Sequence, residues 1–81
     1  MKVQIVFPKL GFSMEEGRLV SWLHPDGTPV TAGVPLYEVE TDKAVESIEA
    51  PASGTLNILA PADSVYSVGT VIGELLPADR G

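Results

Sequence analysis

Eighty-one residues give room for one small domain. A formal charge of −6 with a pI near 4.4 argues against nucleic acid or an anionic membrane surface as partner. The chain has no cysteine, so neither a disulfide framework nor a thiolate metal site reinforces it, and stability must rest on packing and hydrogen bonds.

The chain opens on Met1-Lys2 and runs straight into Val3-Gln4-Ile5-Val6-Phe7, too short and too interrupted by polar residues for a signal-peptide core. No apolar run is long enough for a transmembrane helix, and the expectation is a cytoplasmic protein or part of one. Residues 3–7 read as a first strand. Residues 8–16, from Pro8 to Glu16, carry no strand pattern and form the longest predicted loop. Strand-like runs follow at 17–23, 35–41, 44–49, 54–59 and 71–76, each short and rich in aliphatic or β-branched residues. Between them stand turn signals: Pro25-Asp26-Gly27, Ala32-Gly33, residues 51–54 and residues 61–64. With eight glycines and seven prolines spaced along the chain, no segment keeps a helical stripe, which predicts an all-β sandwich or barrel.

The chain is also internally repeated. The stretch from Gly17 to Leu36 resembles the stretch from Gly54 to Ile72: Leu19 matches Leu56, Asp26 matches Asp63 or its neighbour, Gly33 matches Gly69 and Leu36 matches Ile72. The match slips by one residue along its length, so the second copy is one residue shorter. Such a repeat predicts halves related by a pseudo-two-fold axis. The segment between the copies then lies at one pole and the chain ends at the other.

That intermediate segment holds a chemical oddity. Lys43, one of five basic residues, sits among Glu38, Glu40, Asp42, Glu46 and Glu49. Asp42 at the second position of a tight turn can bond nearby amides, and Thr41-Asp42-Lys43-Ala44 separates two strand-like runs, so a hairpin with Lys43 at its tip is the best local arrangement. An exposed ion pair among acids is the plainest account of this lysine, and such pairs contribute at most about 1 kcal/mol. Acidic neighbours raise an amine's pKa, which argues against a Schiff-base or general-base lysine. If the amine is used, another enzyme modifies it.

The order Gly11-Phe12-Ser13-Met14-Glu15-Glu16-Gly17, Trp22, Gly27, Gly33, Glu38-Val39-Glu40-Thr41-Asp42-Lys43-Ala44, Glu46, Ala50-Pro51, Gly54, Gly69 resembles the lipoyl domain of 2-oxo acid dehydrogenase complexes over essentially the whole chain. The resemblance implies a flattened β-barrel or sandwich of two four-stranded antiparallel sheets with quasi-two-fold symmetry. It implies a lipoyl domain over residues 1–77, with residues 78–81 as a tail or the start of a linker. It further implies that Lys43 carries (R)-lipoic acid in amide linkage, as the arm of a non-catalytic carrier belonging to a dihydrolipoamide acyltransferase. Such an arm takes an acyl group from a thiamine-diphosphate-dependent decarboxylase, passes it to an acyltransferase core for transfer to CoA, and is reoxidised by dihydrolipoamide dehydrogenase. A five-membered cyclic disulfide is strained and readily opened, and tethering raises its effective concentration at each active site.

By the same resemblance, Glu40, Asp42 and Ala44 guide the lipoyl ligase, the turn glycines Gly27 and Gly54 shape the hairpin's surroundings, and all five are ligase-recognition residues. The loop residues Leu10, Gly11, Phe12, Ser13 and Met14 help the decarboxylase choose its carrier, although Phe12 and Met14 could equally fold back onto the core. The isolated domain is expected to be a monomer. A biotinyl domain shares the fold, but its lysine is flanked by methionines, where this chain has Asp42 and Ala44. An unmodified β-barrel binding module is the alternative from another class. Trp22 reads as core, and His24 as an exposed turn residue with no second histidine or cysteine to complete a metal site. No Ser/His/Asp arrangement or phosphate-cradling glycine loop is present, so the chain is not expected to catalyse alone.

Overall fold

The computed structural model describes residues 2–11, 13–41 and 44–77. Among them are eight strands and no helix: β1 (Val3–Val6), β2 (Glu16–Trp22), β3 (Pro29–Val30), β4 (Pro35–Glu40), β5 (Val45–Glu49), β6 (Gly54–Ile58), β7 (Ser64–Ser67) and β8 (Val71–Leu76). They form two four-stranded sheets, ordered β1-β8-β6-β3 and β5-β4-β2-β7, with every pairing antiparallel. The all-β double sheet is the architecture expected from sequence. The six anticipated strands are all present within a residue or two at their ends. Two were not anticipated, the two-residue β3 and the polar β7. Both are edge strands, and Pro29 is tolerated on β3 because an edge position need not donate its amide inward.

Alternation puts one face of each sheet inside. Leu19, Leu36, Val39, Leu56 and Ile72 are fully buried, with Phe7 and Leu75 nearly so. Trp22 is half-buried, as expected of a residue packed on the core. Its indole N–H donates to the Ala60 carbonyl at 3.0 Å, and its ring lies 5.3 Å from that of Tyr37. The space for that ring comes from Gly73, where a Cβ would stand 3.1 Å from the Trp22 ring tip. His24 is half-buried rather than exposed, its Nε2 lying 3.2 Å from the Pro35 carbonyl oxygen.

The internal repeat is a repeat of hydrogen bonds. The Gly27 amide donates to the Leu56 carbonyl at 2.7 Å, and the Asp63 amide donates to the Leu19 carbonyl at 2.6 Å. Gly33 N–H donates to Ala50 O and Gly69 N–H to Phe7 O; Leu23 N–H donates to Leu36 O and Leu59 N–H to Ile72 O. Side chains repeat as well: Ser21 Oγ donates to Glu38 Oε1 and Asn57 Nδ2 to Glu74 Oε1. These equivalences exchange β1 with β5, β2 with β6, β3 with β7 and β4 with β8, and the exchange maps one sheet order onto the other.

The one-residue slip in the sequence match has a structural cause. In β2 the register shifts between Leu19 and Ser21, which face Val39 and Glu38, whereas β6 pairs with β8 without interruption. The extra residue is Val20, accommodated as a β-bulge. Beyond it Asp63 stands opposite Gly27, not Asp26. Both take positive φ, +65° for Asp63 and +83° for Gly27. The second copy thus makes the same left-handed turn without glycine, using one of the few other residue types that tolerate it.

Candidate functional site

Hairpin β4–β5 carries the sequence's most specific signal. Its register runs Tyr37↔Ile48, Glu38↔Ser47, Val39↔Glu46 and Glu40↔Val45, which leaves residues 41–44 as the connection. The Thr41 amide donates to the Ala44 carbonyl at 2.8 Å, and the Ala44 amide donates to Thr41 Oγ1 at 3.2 Å. Thr41 Oγ1 in turn donates to Ala44 O at 3.1 Å. Asp42 and Lys43 lie outside the described residues. Of the residues that frame them, Glu40, Ala44, Val45 and Glu46 are exposed. The uneven alternation after Ala44 follows from the position of β5: it is an edge strand, and only Ile48 is even half-buried.

At this end of the molecule β4 lies beside the start of β2, with Arg18 opposite Glu40. The Arg18 guanidinium bonds Glu40 Oε1 at 3.3 Å through one arm and Asp63 Oδ1 through the other. All three side chains are well exposed, 45%, 46% and 73%, so each pair adds at most about 1 kcal/mol to stability. Register extends this into a row across four strands: Val45, Glu40, Arg18 and Val65, the two valines 53% and 58% exposed.

The 8–15 loop leads into β2 and so opens onto the same end. Its Leu10, Gly11 and Ser13 are exposed. Met14 is instead folded back against the core. Its sulfur accepts from the Leu10 amide at 3.2 Å, and its amide donates to Gly11 O at 3.2 Å. Phe12 lies outside the described residues.

Gly27 and Gly54 do not stand at the 41–44 turn, which corrects the expectation that they shape its surroundings. Gly54 faces Val30 in the sheet that lacks the hairpin, and Gly27 donates to β6 in that same sheet. Their structural roles are local: a left-handed turn at Gly27, and at Gly54 an approach so close that a Cβ would lie 2.5 Å from Leu76 O. Sequence reasoning missed Arg18 and Asp63. The signal was present in the repeat itself, where Arg18 faces Thr55 in the alignment of the two copies.

Among the described residues no group of three or more His, Asp or Glu side chains is placed to hold a metal, and no helix is long and apolar enough to cross a membrane.

Two four-stranded sheets exchanged by a quasi-two-fold axis, with residues 41–44 joining β4 to β5, define a sandwich of the biotin and lipoyl type. The family model described as "biotin-requiring enzyme", for biotin and lipoyl attachment, matches residues 3–75, and the chain belongs to that family. It is 45% identical over 78 residues to the dihydrolipoyllysine-residue acetyltransferase component of the acetoin cleaving system of Cupriavidus necator, covering 95% of this chain and 21% of the relative. It is 40% identical over 72 residues to the corresponding component of the pyruvate dehydrogenase complex of Corynebacterium glutamicum, covering 88% of this chain and 11% of the relative. In structure it is similar to the lipoyl domain of the 2-oxoglutarate dehydrogenase complex from Azotobacter vinelandii, with a TM-score of 0.76, 25% identity, and 98% and 99% of the two chains covered. The chain thus spans about a fifth or less of the curated relatives and nearly all of an isolated lipoyl domain.

Proposed function

We propose that Lys43 is the attachment point for lipoic acid and that the chain serves as the lipoyl carrier of a 2-oxo acid or acetoin-type dehydrogenase complex. The observation that carries this reading is the β4–β5 connection, whose flanking Glu40, Ala44 and Val45 are exposed. Thr41 and Ala44 close it by their own hydrogen bonds, and the motif Glu40-Thr41-Asp42-Lys43-Ala44 runs through it. An arm joined by an amide needs a firmly held base and free space above it. The described flanks fit that need, because the turn's closure is local and its neighbours are exposed. When bound, the lipoyl group supplies a strained cyclic disulfide that serves as acyl acceptor and electron carrier. The chain's own part is to hold the lysine out from a rigid double sheet and to offer surfaces that the enzymes of the complex recognise.

In this reading Glu40, Asp42 and Ala44 are the address for the lipoyl ligase. Leu10, Gly11, Phe12 and Ser13 meet the thiamine-diphosphate-dependent decarboxylase, while Met14 anchors their loop. The acyltransferase core and dihydrolipoamide dehydrogenase are the remaining partners, and the bacterial cytoplasm is the compartment. Residues 1–77 make up the carrier domain, with 78–81 as a tail or the start of a linker. Lipoate is favoured over biotin because Asp42 and Ala44 flank the lysine and Met14 is committed to the core.

Intact-mass measurement tests the reading. Incubation with lipoate, ATP and a lipoyl ligase is expected to add one lipoyl amide to the wild type and none to Lys43→Gln. Absence of any increase, an increase that persists in Lys43→Gln, or uptake of biotin from a biotin ligase in its place would defeat it.

A further inference from the structure

Quasi-symmetry separates what the fold needs from what one pole has added. The turn hydrogen bonds of one half, and the buried pairs Leu19/Leu56 and Leu36/Ile72, recur in the other, so the scaffold itself requires them. The Arg18 fork does not recur. The symmetry mates of Arg18, Glu40 and Asp63 are Thr55, Leu76 and Gly27. At that pole the strands pair in the same register, Pro29↔Thr55↔Leu76, with no charged group among the three. The fold therefore closes this corner without such a fork; the ion pair nearby, Lys2 with Glu74, involves neither Thr55 nor Leu76. The fork is present only at the pole that carries the β4–β5 connection.

Its geometry says what it does there. Glu40 is the last residue of β4 and stands three positions before Lys43. Its carboxylate is bonded by Arg18 on the neighbouring strand, and Arg18 is itself fixed from the other side by Asp63, 45 residues away in sequence. Asp63 holds a left-handed backbone conformation, where glycine is the easier choice and where its mate is glycine. An acid retained at such a position is explained by its side chain, which reaches Arg18. We propose that Arg18, braced by Asp63, is a positioning residue for lipoylation: it sets the direction of the Glu40 carboxylate beside the attachment turn, so that the modifying ligase meets a fixed acid. This inference rests on Lys43 being the lipoylated residue.

Ligase kinetics on the whole chain test it, with rates followed by intact mass at a range of domain concentrations. Replacing Arg18 with its symmetry mate (Arg18→Thr) is expected to raise the KM for the domain about fivefold, with kcat within about twofold of wild type, because an exposed charge pair orients a group without entering the chemistry. The melting temperature is expected to change little. Asp63→Gly removes the brace and relieves the backbone, so it is expected to raise KM by a smaller factor without loss of stability. Arg18→Lys keeps the charge, loses the fork, and is expected to fall between Arg18→Thr and wild type. Lys2→Thr removes one positive charge near the chain ends and is expected to leave KM unchanged.

If wild type is lipoylated and Arg18→Thr has an unaltered KM, the positioning role is overturned. It is equally overturned if Lys2→Thr raises KM as much, because net charge would then govern recognition. Failure of the wild type to be modified at Lys43 would instead strike the underlying carrier reading.

Discussion

In the first half of the chain, the paired strands β4 and β5 are joined through residues 41–44. In the second half, the equivalent strands β8 and β1 are paired but are the last and first described strands, with no hairpin between them. The loop before β2 runs from residue 7 to 15, while its mate before β6 covers only residues 50–53. Yet the two halves share buried leucines, left-handed turns and even the Glu38 and Glu74 hydrogen bonds. The interior repeats at its leucine and isoleucine positions, while the loop and hairpin differences gather at one end. In the proposed reading, that end is where the carrier is recognised.

The largest effect expected from this comparison lies in the shared core. Leu19 and Leu56 are mates, both fully buried, one on each sheet. Leu19→Ala and Leu56→Ala are each expected to destabilise by about 3 kcal/mol, within the range for large-to-small core changes. Urea denaturation of both variants checks it. A difference of more than about 1.5 kcal/mol between them would mean that the halves do not contribute equally, and the repeat would be one of geometry only.

Next comes a place where the core itself is unequal. Tyr37 is 2% exposed, and its mate is Gly73. Burial pushes the Tyr37 hydroxyl up to about 12 from its ordinary 10.0. The unfolded chain therefore releases this proton first, and between those values it binds fewer protons than the folded chain. The contribution is complete below pH 10 and falls as pH rises towards 12, by about 3 kcal/mol in all. Stability measured from pH 9 to 12 is expected to drop more steeply in wild type than in Tyr37→Phe. Parallel curves would place Tyr37 outside the alkaline transition.

Much of this was legible in the sequence, for reasons that particular residues make plain. Val39 and Tyr37 alternate with Glu38 and Glu40, and that alternation fixes β4 and its inner face. Gly33 and Gly69 mark matching left-handed turns. The missed strands carried too little pattern: β3 has two residues, and β7, Ser-Val-Tyr-Ser, buries only part of Tyr66 because it lies at an edge. At the site, local signals gave the turn. The Arg18 fork stayed hidden because its acids lie 22 and 45 residues away, and only the folded register brings them to one guanidinium.

A smaller effect separates Gly17 and Gly54, mated glycines at the start of mated strands β2 and β6. A Cβ at Gly54 would meet the Leu76 carbonyl oxygen at 2.5 Å, which is backbone in a paired strand and cannot retreat without breaking the ladder. A Cβ at Gly17 would meet the Met14 methyl at 2.7 Å, the free end of a flexible side chain, although the Phe7 ring at 3.1 Å limits the relief. Gly54→Ala is expected to lose about 2 kcal/mol and Gly17→Ala about 1 kcal/mol, by thermal or urea unfolding. Gly17→Ala is also expected to displace Met14, altering the amide signals of Leu10 and Met14. If Gly17→Ala proves the more costly, Met14 is held rigidly and its loop belongs to the core.

The smallest effect tests whether a repeated hydrogen bond has the same value in both halves. Glu38 accepts from Ser21 and Glu74 from Asn57, but among the described residues only Glu74 also meets a cation, Lys2 at 2.9 Å. The Lys2 and Asn57 bonds hold the Glu74 carboxyl below the ordinary value of 4.5. A lowered folded value stabilises above the ordinary one, and that stabilisation is lost as pH falls below about 4.5 through the folded value. Melting temperatures taken from pH 6 to 3 are thus expected to fall less for Glu74→Gln than for wild type. Lys2→Ala should recover part of that flattening, and Ser21→Ala should leave the slope unchanged. A flattening by Ser21→Ala as large as that by Lys2→Ala would show that the shared acceptor bond, and not the added lysine, sets the acid response of this end of the sheet.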